Sequence, residues 1–315
     1  MIISASRRTD IPSYYSEWFF NRLKEGYVFV RNPMNAHQIS KISLLPEVVD
    51  GIVFWTKNPT PMLNKLDKLE KYHYYFQFTL TAYGPDAEKK IPSKNKIIIP
   101  AFQRLSKEIG KEKVVWRYDP IFFNETYTID YHCKYFEILA SKLAAYTEKC
   151  TISFLDFYRN TGRNVKALNI QLATAKMRTE LVERFVETAK KYHLYLDTCA
   201  EKDDFRKLGV LPAHCIDKER FEKIGKYKLE IGKDKNQREA CGCIESIDIG
   251  AYNTCKNGCL YCYANDSSTS ANNNFAKHNS ESPLLLGEQQ EKDSVKERNV
   301  KSFVNGQMTL FDYER

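Results

Sequence analysis

The segment SIDIGAYNTCKNGCLYCYAN, residues 246–265, decides how the chain is organised, because a short strand pattern leads directly into three cysteines. Apolar positions alternate in SIDIG, as is typical of a strand. Cys255, Cys259 and Cys262 follow at C-x3-C-x2-C spacing, and Gly258 allows the backbone to turn tightly between them. Together these features predict a strand whose carboxyl end carries a loop of three thiols.

Three thiols at this spacing suit two kinds of metal centre. Thiolates are soft ligands that bind zinc and iron-sulfur clusters. A structural zinc site normally has four ligands, so zinc would need a fourth ligand from elsewhere in the chain. Three thiolates can instead bind three irons of a [4Fe-4S] cluster, which leaves the fourth iron open to a small molecule.

Before this segment, the chain alternates strand and helix patterns up to about residue 217. Runs rich in β-branched and aromatic residues, bounded by turn residues, predict strands. They are IISAS (2–6), YVFVR (27–31), GIVFWT (51–56), YYFQFTLT (74–81), KVVWRY (113–118), TISFLD (151–156) and LYLDTC (194–199). Amphipathic patterns over 63–72, 127–146 and 172–192 predict helices. The repeated β-then-α order predicts an α/β fold with a parallel sheet, and seven or more units favour a closed or nearly closed TIM-like barrel.

Composition predicts a soluble globular protein. The 315 residues are 43% hydrophobic and 28% charged, which is enough for one large domain or two small ones. No apolar run approaches the roughly 18–20 residues of a membrane span, and the first ten residues do not resemble a signal peptide. We therefore expect a cytoplasmic protein without membrane contact. In that reducing compartment, nine cysteines favour metal or redox sites over disulfides.

The net charge of +8 is concentrated in residues 1–265, which hold 42 Lys and Arg against 32 Asp and Glu. Such an excess favours an anionic partner such as DNA, although basic residues spread over helix faces also serve solubility. We treat residues 1–265 as the folded domain, with a cysteine-rich part at 241–265.

Residues 266–315 differ in composition from the rest of the chain. DSSTSANNNFAKHNSES (266–282) has almost no large apolar residues, so we expect a mostly disordered tail. Near its end, residues 307–311 (QMTLF) fit Q-x-x-L-F, similar to the peptide with which bacterial DNA-repair and replication proteins dock on the sliding clamp. Gln307, Leu310 and Phe311 are the expected clamp contacts. The alternative is that Leu310 and Phe311 fold back onto the domain.

A second group of cysteines lies within 45 residues of sequence, at Cys199, Cys215, Cys241 and Cys243. This density predicts a further metal site, either zinc or an auxiliary iron-sulfur cluster. The alternative is that Cys199 and Cys215 are small buried residues at strand ends. Cys133 has no such neighbours and is assigned to the core, as is Cys150.

Polar residues follow several predicted strands and would line the mouth of a barrel. We expect catalytic roles for Arg7, Lys57, Arg117 and Asp119, with the three cations as candidates for binding a carboxylate or phosphate. Arg8 and Asn58 are expected to contact a cofactor, and the alternative for each cation is a salt bridge within the barrel. The same reasoning places the following residues at the mouth: Asp10, Asp156 and Glu201.

The cysteine loop resembles the cluster motif of radical S-adenosylmethionine (SAM) enzymes, because an aromatic residue precedes the last cysteine and a strand leads into the loop. The resemblance implies that Cys255, Cys259 and Cys262 ligate a [4Fe-4S] cluster, that SAM chelates the open iron, and that Tyr261 lies near the adenine. It also implies an electron donor such as flavodoxin or ferredoxin, and reductive cleavage of SAM to methionine and a 5′-deoxyadenosyl radical. CYAN (262–265) is further similar to the CYA of spore-photoproduct-lyase-like members, which act on DNA.

The whole chain resembles the bacterial family known as domain of unknown function 1848. The likeness runs from MIISASRRTDIP through FWTKNP, WRYDPI, DTCAE and CGC to the cysteine loop. That family is known for a C-terminal cysteine cluster similar to the N-terminal one of radical SAM proteins. The resemblance supplies no reaction or substrate.

The late position of the cysteine loop predicts a circular rearrangement. Radical SAM barrels normally carry this loop after their first strand, whereas here the strand SIDIG follows all the others. We therefore expect 246–250 to lie beside IISAS (2–6), with the loop at the carboxyl ends of the strands. A second hypothesis has no SAM chemistry: a barrel stabilised by zinc or a closed cluster, which binds nucleic acid or a protein.

Overall fold

The computed structural model describes residues 1–156 and 164–305. Its strands are β1 (Ile2–Ala5), β2 (Tyr27–Asn32), β3 (Asn35–Ser43), β4 (Gly51–Thr56), β5 (Tyr74–Thr79), β6 (Val114–Ile121), β7 (Lys149–Phe154), β8 (Tyr195–Thr198), β9 (Leu211–Pro212), β10 (Ile247–Asp248) and β11 (Ser294–Glu297). Its α-helices are α1 (Ile11–Tyr14), α2 (Ser16–Glu25), α3 (Thr60–Leu63), α4 (Ile99–Ile109), α5 (Ile129–Leu143), α6 (Ala175–Lys191), α7 (Lys218–Gly225) and α8 (Ser268–Ala276). None of these helices is long and apolar enough to span a bilayer.

Eight strands form one parallel sheet in the order β10-β1-β4-β5-β6-β7-β8-β9. The last strand of this sheet in sequence therefore lies at one edge, beside the first. Ile247 of β10 pairs with Ile3 of β1, and Asp248 pairs with Ser4. This pairing confirms that the strand before the cysteine loop lies next to the N-terminal strand.

The sheet is open, and the predicted closure into a TIM-like barrel is wrong. Its edge strands β9 and β10 are two residues long, and no ladder joins them within residues 1–156 and 164–305. Strands this short offer too few hydrogen bonds to close a barrel by themselves. The α/β class and the parallel sheet are confirmed.

The two faces of the sheet are both covered. One face packs on helices: Trp116 of β6 stacks on Phe136 of α5 at 5.0 Å between ring centroids, and Phe136 stacks on Phe185 of α6 at 3.9 Å. On the other face, Tyr75 of β5 contacts Phe221 of α7 with 5.0 Å between centroids. Burial on both faces explains why these strands are continuously apolar and not alternating.

The helices α5 and α6 begin where the sequence places side-chain caps. Thr128 accepts a hydrogen bond from Tyr131 N at the start of α5, and Thr174 accepts one from Met177 N at the start of α6. Such caps satisfy backbone N–H groups that have no partner in the first turn. Both helices were predicted, with boundaries a few residues wider than those observed.

The predicted helix over 63–72 is instead two short turns. The helix α3 ends at Leu63, and Leu66–Leu69 form a 3-10 turn. Leu63, Leu66 and Leu69 recur every three residues, which is the period of a 3-10 helix. All three are buried, so the spacing identified the apolar face but not the type of helix.

The run YVFVR, predicted as a strand of the barrel, lies in a separate three-stranded sheet ordered β11-β3-β2. Only residues 33–34 separate β2 from β3, so the two strands form an antiparallel hairpin. A connection of two residues is too short for the crossover that a parallel sheet requires. The hairpin therefore lies outside the main sheet, in which β1 pairs directly with β4.

Residues 266–305 are folded against the domain, whereas a mostly disordered tail was expected. Ser267 caps α8, and β11 pairs in parallel with β3. Trp18 Nε1 donates to Ser282 O at 2.9 Å, and Leu285 is 3% exposed within the main core. A few apolar anchors and backbone hydrogen bonds thus order a polar segment. The predicted clamp motif at 307–311 lies outside the described residues.

Candidate functional site

The cysteine loop begins directly after β10 and is fastened to the first helix of the chain. Tyr14 Oη donates to Asn257 Oδ1 at 2.9 Å, and Tyr15 Oη donates to Thr254 O at 2.7 Å. Gly258 adopts φ +68°, a left-handed conformation that glycine takes without strain. The loop therefore lies at the carboxyl end of β1, where the sequence predicted it.

Burial holds the three loop thiols in their neutral form. It raises the pKa of the Cys259 thiol to about 12, against the opposing effect of the Lys57 ammonium. It also raises the pKa of Cys255 and Cys262. The described residues contain no group of three or more His, Cys, Asp or Glu side chains placed to hold a metal ion. Metal binding here requires that the thiols lose their protons.

Glu88 is the centre of a buried charge cluster beside the loop. Its carboxylate pairs with Lys57 Nζ at 2.7 Å and Lys94 Nζ at 2.6 Å, and it accepts hydrogen bonds from Thr81 Oγ1 at 2.8 Å and from Tyr261 Oη. Burial by itself would raise the pKa of this carboxyl group, but the two ammonium groups outweigh it and lower the pKa to about 2. Glu88 is therefore ionised at every physiological pH.

Sequence reasoning missed Glu88, because it lies nine residues beyond the end of β5 in a charged segment with no strand pattern. The fold brings this segment to the cysteine loop through backbone hydrogen bonds. Leu260 N donates to Ala87 O at 2.9 Å, and Lys90 N donates to Asn257 O at 3.2 Å. A salt-bridged carboxylate so far from a strand end leaves no signal in a single sequence.

Three residues predicted at the site have local structural partners. Lys57 is bound to Glu88, and its Nζ lies 5.6 Å from the centroid of the Tyr261 ring. Tyr261 is 5% exposed. Asn58 Oδ1 accepts hydrogen bonds from Thr60 N and Oγ1 at 3.2 and 2.6 Å, in the turn that leads into α3. Their predicted roles toward a substrate or cofactor stay predictions.

Arg7 and Arg8 follow β1 and point in different directions. Arg8 lies 5.1 Å from the centroid of the Tyr252 ring and donates to Gly250 O at 3.5 Å. Arg7 lies over the Trp55 ring at 5.3 Å, and its buried Nη2 has no hydrogen-bond partner. Trp55 of β4 therefore carries a guanidinium group on its face.

Arg117 is held by a salt bridge, as the alternative reading of the sequence proposed. Its Nε donates to Asp119 Oδ1 at 3.1 Å, and Ser153 Oγ donates to the same carboxylate at 3.3 Å. The other side of the guanidinium lies 5.4 Å from the centroid of the Trp55 ring. Arg117 and Arg7 thus both contact one indole.

Two further predicted mouth residues follow β7 and β8. Glu201 accepts a hydrogen bond from Phe154 N at 2.8 Å, and burial raises the pKa of its carboxyl group to about 7. Asp156 is exposed and pairs with Arg238. Glu201 is therefore the carboxyl group of this edge that exchanges a proton near neutral pH.

The four remaining clustered cysteines come together on the face of the sheet that α7 covers. The Sγ atoms of Cys199 and Cys215 are 3.0 Å apart, and Ile216 N donates to Cys243 Sγ at 3.3 Å. Arg117 Nη1 donates to Cys215 Sγ at 2.9 Å. The grouping predicted from sequence spacing is therefore a cluster in space.

Several buried polar atoms lack a hydrogen-bond partner, and one of them belongs to Asn265, whose Nδ2 donates to Cys255 O at 2.6 Å. In residues 1–156 and 164–305 they include Arg7 Nη2, Thr9 Oγ1, Trp55 Nε1 and Asn265 Oδ1. Each such atom costs about 1–3 kcal/mol relative to one that is hydrogen-bonded. Buried polar groups are otherwise almost always paired, so each of these atoms is a candidate contact for a polar ligand.

Comparison with known proteins identifies the family of the chain. No curated protein matches the sequence. The family model described as "Domain of unknown function (DUF1848)" matches residues 2–264, which include the parallel sheet and the three cysteines of the loop. The chain is therefore a member of the DUF1848 family, as its sequence motifs indicated.

Proposed function

We propose that the protein is a radical SAM enzyme that holds a [4Fe-4S] cluster on Cys255, Cys259 and Cys262. The observation that carries the proposal is the placement of this loop at the carboxyl end of β1, through the pairing of β10 with β1. Carboxyl ends of parallel strands are where α/β enzymes bind their ligands.

The donor set and its surroundings fit the cluster. Three thiols leave one iron of a cubane without a protein ligand, and Asn265, whose Nδ2 donates to Cys255 O in the loop, has a buried Oδ1 without a partner. When bound, the cluster supplies one electron that cleaves SAM to methionine and a 5′-deoxyadenosyl radical, which abstracts hydrogen from the substrate. The described thiols are not yet at metal-binding positions, so the proposal rests on these neighbours and on the loop spacing.

The chain's own residues would position SAM and limit access of water. Arg7 Nη2 is a donor without a partner and suits the carboxylate of SAM, because guanidinium binds carboxylate with two parallel hydrogen bonds. Lys57 is ion-paired with Glu88, so we assign it to holding the loop and not to binding an anion. The Glu88 cluster keeps Tyr261 fixed beside the second and third cysteines.

The substrate proposal is nucleic acid, supported by the basic charge of residues 1–265. Fluorescence anisotropy with labelled single-stranded and duplex DNA tests it: binding that weakens steeply with salt supports the proposal, and no binding at low salt rejects it.

The experiment that tests the enzyme class is anaerobic reconstitution with iron and sulfide, followed by addition of SAM and a reductant. The wild-type chain should bind about four irons at the loop and form 5′-deoxyadenosine. The variant with Cys255→Ala, Cys259→Ala and Cys262→Ala should form none, whereas Cys133→Ala, a half-buried cysteine in α5, should keep the activity. A loop that binds zinc and cleaves no SAM would favour the metal-stabilised binding protein instead.

A further inference from the structure

Cys199, Cys215, Cys241 and Cys243 lie in one cluster of side chains, separate from the loop. The Sγ atoms of Cys199 and Cys215 are 3.0 Å apart. Four thiolates at about 2.3 Å from one Zn²⁺ place their sulfurs about 3.8 Å apart in a tetrahedron. A cubane needs much wider spacing, because its sulfurs bind four separate irons. The 3.0 Å between the Sγ atoms of Cys199 and Cys215 is therefore nearer to the spacing at a single tetrahedral ion than to that at a cubane.

Two guanidinium groups lie next to these thiols. Asp119 engages Nε and Nη2 of Arg117, which leaves Nη1 to donate to Cys215 Sγ at 2.9 Å and to Gln77 Oε1 at 3.3 Å. Arg7 lies close enough to interact electrostatically with the thiols of Cys215 and Cys243. A divalent ion with four thiolates carries a net charge of about −2, which two guanidinium groups offset.

Backbone contacts fix the segments that carry the thiols. The carbonyl of Cys215 accepts hydrogen bonds from Tyr75 Oη at 2.7 Å and Gln77 Nε2 at 2.8 Å. A Cβ at Gly242 would lie 3.0 Å from the ring of His214, so glycine suits the close approach of this turn. Partners that orient ligands in this way are a regular part of metal sites.

We propose that Cys199, Cys215, Cys241 and Cys243 bind one Zn²⁺ in a tetrathiolate site separate from the cysteine loop. Binding releases the thiol protons and draws the sulfurs, which are not yet at metal-binding distances, into a tetrahedron. The first two cysteines follow β8 and β9 at one edge of the open sheet, and the last two precede β10 at the other edge. In the described residues no hydrogen-bonded ladder joins these two edges of the sheet, and the ion would link them.

The test uses the full chain with Cys255→Ala, Cys259→Ala and Cys262→Ala, so that the result does not depend on the loop. Mass-spectrometric metal analysis after growth with zinc and iron should give about one zinc per chain and no sulfide. Adding Cys215→Ser and Cys243→Ser should remove the zinc, and adding Cys133→Ser should leave it in place. Circular dichroism checks that each variant is folded.

A second measurement keeps the proposal falsifiable if the serine variants do not fold. After zinc is replaced by Co²⁺ in the loop variant, the thiolate-to-cobalt charge-transfer band should appear, and a strong chelator should lower the melting temperature. The proposal is overturned if the folded loop variant binds neither zinc nor Co²⁺. Iron with sulfide at these cysteines, or a Cys199–Cys215 disulfide found by peptide mapping, would overturn it as well.

Discussion

At the scale of single residues, the cations near the cysteine loop fall into two groups: those that are ion-paired with a carboxylate and those that are not. Lys57 and Lys94 share Glu88, and Arg117 is paired with Asp119. Arg7 keeps a buried donor without a partner. Burial of an uncompensated charge is costly, so these pairings decide which cation is available for a ligand.

Replacing Glu88 with Gln should destabilise the protein by about 3 kcal/mol at pH 7, because two buried ammonium groups lose their partner. The folded pKa of about 2 lies below the ordinary value of 4.5, so this contribution is fully present above about pH 4.5 and is lost as the pH falls toward 2. Urea unfolding of both proteins at pH 7 and in the acid range measures the difference. Glu108→Gln, in an exposed pair with Arg104, should change stability by less than about 0.5 kcal/mol. An equal effect of both substitutions at pH 7 would show that the Glu88 cluster is not stabilising.

Replacing Arg7 with Ala should weaken SAM binding to the reconstituted protein about tenfold to a hundredfold, the effect of losing hydrogen bonds to a charged group. Arg7→Lys should recover part of the affinity, since it restores the charge but not the two parallel hydrogen bonds. Anaerobic equilibrium dialysis gives the dissociation constants, with Arg104→Ala on the surface of α4 as the control. Unchanged affinity in Arg7→Ala would remove Arg7 from the SAM site.

Single residues also mark what the sequence can and cannot predict about the site. The cysteines were identified because their ligand chemistry and spacing are local properties. Glu88 was missed, because a salt bridge between distant segments appears only after the chain is folded. The same limit applies to Trp55, whose neighbours Arg7 and Arg117 come from two other segments.

At the scale of elements, the joint between β1 and β10 places the cysteine loop. Asp248 accepts hydrogen bonds from Ser4 Oγ at 3.0 Å, Arg7 N at 2.8 Å and Gly250 N at 3.0 Å. The carboxylate thus binds both strands and the start of the loop. Strand identities followed from local composition, whereas the departure of β2 into its own hairpin depended on a two-residue connection.

Replacing Gly250 with Ala should loosen this joint, because the added Cβ would lie 2.1 Å from Ser6 Oγ and 2.6 Å from Ser6 Cβ. We expect a loss of about 1–3 kcal/mol in the free energy of unfolding, together with a lower capacity to hold iron at the loop. Gly232→Ala is the matched control, since a Cβ there meets nothing within 4 Å. If Gly250→Ala has the stability of wild type, the joint is more adaptable than the contacts indicate.

At the scale of the whole molecule, an open parallel sheet carries one group of cysteines at its carboxyl edge and a second group between its two free edges. Alternating strands and helices allowed the sheet to be predicted, but closure depended on two edge strands of two residues each. The packing of 266–305 on the domain was not expected, because few apolar residues signal it.

The most direct measurement of the central claim is formation of 5′-deoxyadenosine from SAM by the anaerobically reconstituted protein, quantified by liquid chromatography. We expect reductant-dependent product from the wild-type chain and from Cys133→Ala, and none when Cys255, Cys259 and Cys262 are all replaced by Ala. A wild-type chain that carries a full complement of iron and sulfide yet forms no 5′-deoxyadenosine would contradict the assignment.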